Sequence, residues 1–260
     1  MSGVPSWRSR FAWIGLLLAV ASPATVGLAV LGARTWGWDP GFALDGLSLT
    51  VAPILGLVGG AAGIVALMLW LVPPRGDFRK ALAAVLLAAL SVAIMARARD
   101  VRAAAPPVHD AATDWRDPLT FSPAVMQARG AKAAPVALDP KVDAFSKAPF
   151  AGMRVADVNA RTCPGALAII AGESPAQAYA RAKAAFAKAG LKAVTDDPAA
   201  GRLEASVQTD WFRFRDDVVV RVRAEGPGAR IDIRSTGRSA GTDGGSNCKR
   251  VTRLRGLMAE

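Results

Sequence analysis

The sequence predicts an N-terminal α-helical transmembrane region followed by an α+β soluble domain, an antiparallel sheet with packing helices. Three observations carry this reading. Apolar runs bounded by arginine fill the first hundred residues. Arg202 to Thr209 alternates, with Leu203, Ala205 and Val207 on one face and Arg202, Glu204, Ser206 and Gln208 on the other, the pattern of a half-buried antiparallel strand. Before it, Ser174-Pro175 opens a stretch whose Ala178, Ala182, Ala185, Phe186 and Ala189 recur at helical spacing.

Composition sharpens the division. The chain of 260 residues is 52% hydrophobic yet 20% charged, so its apolar residues must be concentrated. Its net charge is +11, and arginines flank the apolar runs, which favours a membrane over nucleic acid. No lysine-rich tail or aromatic-studded basic helix speaks for a nucleic-acid partner, and none is expected. Two cysteines and one histidine exclude a Cys/His zinc cluster by inventory. No metal and no cofactor is expected from any motif.

The transmembrane region occupies residues 1–100, with helices at about 11–33, 47–72 and 80–96. The first run is long enough to cross roughly 30 Å of hydrocarbon. A cleaved signal peptide, with Gly27 to Ala29 as the small-residue site, is its rival; the length of the run and the spans that follow favour a retained helix. Trp36 and Trp38, in the loop after it, suit the membrane interface. Gly56, Gly59, Gly60 and Gly63 lie near one face of the second span, either for close helix packing or as glycines that membrane helices merely tolerate. Pro73-Pro74 ends that helix. The third span is the least secure, because its apolar stretch is only 16 residues. With the N-terminus inside, Arg8, Arg10, Arg75, Arg79 and Lys80 fall on the inner side, against Arg34 outside. The chain is then a multi-pass protein of the cytoplasmic membrane, with its C-terminal domain on the periplasmic or outer side. Arg97, Arg99 and Arg102 after the third span cut against this, and a two-span arrangement would reverse it.

Residues 101–153 are rich in Ala and Pro and read as a linker or wrapping segment. The α+β domain is expected over residues 154–260. A short strand is expected from Gly165 to Ile170, then a helix with Ser174 as N-cap, Pro175 at its first position and Gly190 as its stop. A weak strand at Leu191 to Thr195 precedes Arg202–Thr209. Phe212 to Arg223 and Ala229 to Ser235 follow, separated by the turn Glu225-Gly226-Pro227-Gly228. Ile231 and Ile233 point inward, Asp232 and Arg234 outward. A closing helix over Asn247 to Met258 carries Val251, Leu254, Leu257 and Met258 as its apolar stripe.

The densest polar set lies at the C-terminal end of this meander. Asp216 and Asp217 are adjacent on a strand and face opposite ways. Arg234 of the next strand is expected to pair with one of them. Asp216 or Asp217, Arg234, Ser235, Arg238, Asp243, Asn247 and Arg250 form either a site for a carboxylate or phosphate ligand or an ion-pair network that orders a loop. Gly237, Gly241, Gly244 and Gly245 precede the last helix, where free amides attract anions. Lys249 lacks the neighbours of a phosphate loop, so a turn capped by Ser246 or Asn247 is the competing account. A second cluster, His109, Asp110, Asp114 and Asp117, could hold a divalent cation or serve as turn residues. Cys163 and Cys248 form a disulfide if the domain lies outside the cytoplasm. Otherwise Cys163 is a thiol, and a nucleophile only if His109 is near.

FRFRDDVVVRVR, IDIRSTGRSAGTDGGSNCKRV and the upstream VHDAATDWRDPLTF resemble the bacterial family catalogued as domain of unknown function 1499. The resemblance covers Pro107 to Leu257. It rests on a paired Asp after an aromatic strand, then Arg-Ser, a further Arg, and Asp-x-Gly-x-Asn-x-x-Arg. It implies membrane helices ahead of the domain and no established activity. Arg238-Ser239-Ala240 fits the pattern loosely, and Cys248 stands where alanine or another residue is commonly expected.

Three functions compete. The first is a membrane-anchored envelope domain that binds a ligand or protein partner. The second is a metal-dependent or carboxylate-based hydrolase using His109, Asp110 and Asp217. The third is a structural subunit of a membrane complex joined through the glycine face of the second span.

Overall fold

The computed structural model describes residues 6–259. Two compact units are present: one runs to Ala103 and takes in Asp210–Arg213, and the other comprises Ala104–Thr209 and the chain from Phe214 onward.

The first unit is three helical segments. α1 spans Ser6–Thr35, a π-helical stretch Phe42–Val51 runs into α2 (Ala52–Trp70), and α3 spans Phe78–Ala104. Each of the three is long and apolar enough to cross a membrane. The π-type stretch ends at Val51, two residues before Pro53, which has no amide to donate into a regular ladder. The Ser48 and Thr50 hydroxyls bond carbonyls five residues back, at Ala43 and Asp45. The third helix outruns its apolar core because Arg97, Arg99 and Arg102 continue on an alanine-rich, helix-favouring stretch. Arg8 donates to the carbonyls of Val72 (2.7 Å) and Pro74 (2.9 Å), and Arg102 pairs with Asp45 at 2.8 Å. The helices therefore run up, down and up. Arg8 and the turn before α3 share one end; the Thr35–Phe42 loop and the end of α3 share the other.

The glycines of α2 are used inside this bundle. A Cβ on Gly59 would lie 2.6 Å from the backbone nitrogen of Ala19, and one on Gly15 would lie 2.9 Å from that of Gly63. Gly56, Gly59 and Gly63 are buried against α1 and α3. Of the two readings of these glycines, close helix packing holds, because helices without side chains between them gain their van der Waals contact here. Gly59→Leu is expected to lower the thermal midpoint of the full chain in detergent, at an overpacking cost of about 1–3 kcal/mol. Gly27→Leu, where nothing lies within 4 Å, should leave the midpoint unchanged.

The second unit is a six-stranded antiparallel sheet. Its strands are β1 (Asp110–Ala112), β2 (Ile169–Ala171), β3 (Ala193–Asp197), β4 (Arg202–Gln208), β5 (Arg215–Glu225) and β6 (Gly228–Gly237). β3 to β6 form the expected meander, while β1 and β2 lie end to end along the free edge of β6. α4 (Pro123–Arg129) and α5 (Val155–Thr162) precede β2, α6 (Pro175–Lys188) follows it, and α7 (Ser246–Ala259) closes the chain. α6 starts as its sequence dictates: the Ser174 hydroxyl accepts from the Gln177 amide, and the Gln177 side chain accepts from the Ser174 amide. Gly190 ends it at φ +75°.

One face of the sheet presents Leu203, Ala205, Val218, Val220, Val222, Ile231 and Ile233 to Ala178, Ala182 and Phe186 of α6 and to Val251, Leu254 and Met258 of α7. Each large side chain buried there contributes about 1.5–3 kcal/mol. The opposite face departs from expectation. The alternation implied water over Glu204, Asp232 and Arg234, yet each is fully buried. The cover is the Ala/Pro-rich segment itself, which supplies β1, α4, Leu119, Phe121 and Val125, the last three packing on Val219. Alternation reveals that a face is polar; it does not reveal that a distant stretch with matching charges will cover it.

Candidate functional site

Asp216 and Asp217 do point to opposite faces of β5, and each meets arginine. On the helix side, Arg250 Nη2 donates to Asp216 Oδ2 at 2.8 Å. Arg250 Nη1 reaches Ser235 Oγ (2.9 Å) and Asn247 Oδ1 (2.6 Å), and the Ser235 hydroxyl donates to Asn247 Oδ1 at 2.5 Å. Burial pushes the Asp216 carboxyl up in spite of Arg250, and the charges of Asp243 and Asp217 push the same way.

On the other side, Asp217 accepts from Arg129 Nη1 (2.6 Å), from Arg238 Nε (2.9 Å) and Nη2 (2.7 Å), and from Ser206 Oγ (2.5 Å). Burial would raise this carboxyl, but hydrogen bonds from Arg238 and Ser206 and the charges of Arg238 and Arg129 outweigh it, so it lies below the usual carboxylate range. Arg234 does not pair with either aspartate. It is fully buried, grips Asp110 through Nε (3.0 Å) and Nη2 (2.6 Å), and donates to the carbonyls of Leu119 and Ala137. Its guanidinium lies 5.2 Å from the centre of the Trp115 ring. The register explains the miss: Arg234 stands opposite Val219 on β5 and opposite Ala112 on β1.

The expected convergence is thus divided. Asp216, Ser235, Asn247 and Arg250 are together on the helix side, and Asp217 with Arg238 on the side of the covering segment. Asp243 serves a third purpose. Its carboxylate accepts from the amides of Gly245 (2.6 Å) and Asn247 (2.9 Å), so it, and not Ser246 or Asn247, caps α7. A protein carboxylate already occupies the place an anion would take at this helix start.

His109, Asp110, Asp114 and Asp117 are also separated. Asp110 is held by Arg234. Asp114 Oδ1 accepts from the amides of Arg116 and Asp117, the turn chemistry weighed above, while its Oδ2 meets Arg230 at 2.8 Å. Burial opposes its charge, but those amides, Arg230 and Arg221 hold its carboxyl below the usual range. Asp117 pairs with Arg221 and Arg223. Among the described residues no group of three or more His, Cys, Asp or Glu side chains could hold a metal ion. Cys163 and Cys248 are joined in a disulfide, which removes Cys163 as a nucleophile.

His109 goes elsewhere. Its Nδ1 lies 3.3 Å from the Gly241 carbonyl, at the wall of a cavity of 660 Å³. Pro107, Pro135, Val142 and Phe145 line that cavity with apolar surface, and His109, Lys141 and Asp143 add polar groups. The size lies within the range of small-molecule sites. Phe145 is 98% exposed, so its ring stands at the rim of the cavity open to solvent. Sequence reading missed this concavity, because its lining comes from coil around Val142, a residue pattern without period. It missed Arg129 for a similar reason: α4 is only seven residues long.

The profile of a protein family described as "Protein of unknown function (DUF1499)" matches residues 110–258, more than half of the chain. No curated protein matches.

Proposed function

The chain belongs to the DUF1499 family, and on that premise we propose that it is a membrane-anchored envelope protein whose soluble domain binds a ligand or partner on the outer side of the cytoplasmic membrane. The cavity beside His109 carries this reading. It combines an apolar wall with a few polar groups in a volume fit for a small or chain-like molecule. The ligand class that suits it is an amphipathic molecule, with an apolar body against Pro135, Val142 and Phe145 and a polar end toward His109 and Lys141.

Two further observations support the reading. Asp110 and Asp217, the carboxylates a hydrolase would have used, are each bound by buried arginine, so chemistry through them would first have to break those pairs. The location rests on basic residues gathered at the Arg8 end of the bundle, and on a disulfide, which belongs to oxidising compartments.

The test is a thermal-shift series on the full chain in detergent. The probes are lysophosphatidylglycerol, lysophosphatidylethanolamine and a soluble peptidoglycan fragment. One probe is expected to raise the midpoint of the soluble domain, by linkage about 2.7 kcal/mol at a hundredfold excess over its dissociation constant. Ala240→Trp, at an exposed position of the cavity lining, should abolish the shift. No shift with any probe, or one that survives Ala240→Trp, would remove the cavity as the binding site.

A further inference from the structure

We propose that the groove between α7 and the end of α6 binds an alkyl phosphate monoester, a dianionic head carried on an apolar chain. The groove has a volume of 350 Å³, toward the lower end of the range of small-molecule sites. It shares no lining residue with the cavity beside His109, so it is a second site and does not rest on the first.

The floor of the groove is core that has come to the surface. Ala189 and Leu191, at the end of α6 and just beyond it, and Val207 of β4 pack against the main apolar cluster but are only partly buried. An alkyl chain laid on them would take that apolar surface out of water. The opposite wall is one stripe of α7. Its Ser246, Lys249, Arg250, Arg253 and Leu254 recur at the spacing of neighbours on a helix face.

Charge names the head. Arg250 is already answered, because it donates to Asp216, Ser235 and Asn247. Lys249 and Arg253 are not: both are exposed, and neither side chain has an ion-pair or hydrogen-bond partner among the described residues. They stand four residues apart, so their charges repel across one turn of helix. Ser246–Ala259 contains no acidic residue to relieve them, and Lys249 ends the first turn, where the helix dipole favours an anion. The fold gains nothing from this pair, whereas a dianion would neutralise it. Two unanswered cations equal the two charges of a phosphate monoester. The Arg253 guanidinium can take two of its oxygens in parallel, and the Lys249 ammonium adds a point charge. The open apolar floor beside them is what separates this pair from a merely solvated basic face.

The experiment follows amide exchange of the full chain in lipid nanodiscs. Octyl phosphate is the probe; octanol, octanoate and inorganic phosphate are its comparisons. Octyl phosphate is expected to slow exchange over 189–191 and 246–254 and to leave 134–146, beside the other cavity, unchanged. In Lys249→Glu and in Arg253→Glu, half-protection should need about tenfold more probe, the loss of one charge-assisted contact in each. Both side chains are exposed and unpaired, so exchange without probe should stay as in the parent chain. No protection by octyl phosphate would overturn the proposal. Equal protection by octanol would also overturn it, because the charge would then go unread. So would equal protection by inorganic phosphate, which has no chain, or by octanoate, which has one charge. Protection confined to 134–146, or kept in full by both glutamate variants, would remove the groove as the site.

Discussion

Asp217→Asn is expected to destabilise the soluble domain by about 3–5 kcal/mol, whereas Asp216→Asn should cost about 1 kcal/mol or less. The residues are neighbours of the same type, so the difference comes entirely from what each faces. The side chain of Asp217 is fully buried and that of Arg129 is 2% exposed, so neutralising Asp217 leaves one buried guanidinium and the nearby Arg238 without a counter-charge. Asp216 has one arginine, and burial already favours its neutral form. Their pH dependences have opposite signs. Asp217, held below its ordinary 3.8, contributes stability above that value and loses it as pH falls through its folded pKa. Asp114 acts in the same direction. Asp216, raised above 3.8, contributes only at lower pH, and its contribution is lost as pH rises through its folded value. Acid unfolding below about pH 4 should therefore be blunted in Asp217→Asn and kept in Asp216→Asn. Amide exchange of β4 to β6 peptides in the full chain measures both. Equal destabilisation by the two substitutions would mean that the buried pair with Arg129 is not what holds this face together.

The same network shows where sequence reading stops. The meander, the two long helices of the domain and the opposed aspartates were legible because each depends on a local period or a cap: alternation in β4, the Ser174-Pro175 start of α6, the stripe of α7. The covering segment was not. Asp110-Ala111-Ala112 has no strand propensity of its own and becomes β1 only by pairing with Arg234 to Thr236. Arg234 meets Asp110 across 124 residues, and Arg129 meets Asp217 across 88. A row of arginines on a strand says that carboxylates or carbonyls will face it, not which ones. The expected pairing of Arg234 with Asp216 or Asp217 rests on strand adjacency, which is overridden by a third strand on the far side of β6. The candidate cation cluster failed for the same reason. Its four residues are close in sequence, but the strand and turn they form commit the three carboxylates to arginines and the imidazole to a carbonyl.

Removing the disulfide, by Cys163→Ala with Cys248→Ala, is expected to cost the domain about 2–4 kcal/mol. The bond closes a separation of 85 residues, so in the chain-entropy account it restrains the unfolded domain over much of its length. It also ties two layers together. Cys163 ends α5, whose Asn159 holds the Asp110 carbonyl at 3.0 Å, and Cys248 lies in the first turns of α7. Without the bond, β1 and the cap of α7 lose a shared anchor, and exchange should accelerate at Asp110–Ala112 and Ser246–Val251 before it does in β5. The bond also connects stability to location. In intact cells the two thiols should resist alkylation until a reductant is added, because a domain folding outside the cytoplasm oxidises them as it folds. Alkylation without reductant would place the domain in a reducing compartment and withdraw the outer-side assignment. The mutant's loss of stability would still stand as a property of the isolated oxidised protein. The two measurements separate what the disulfide does for the fold from what it says about where the fold is made.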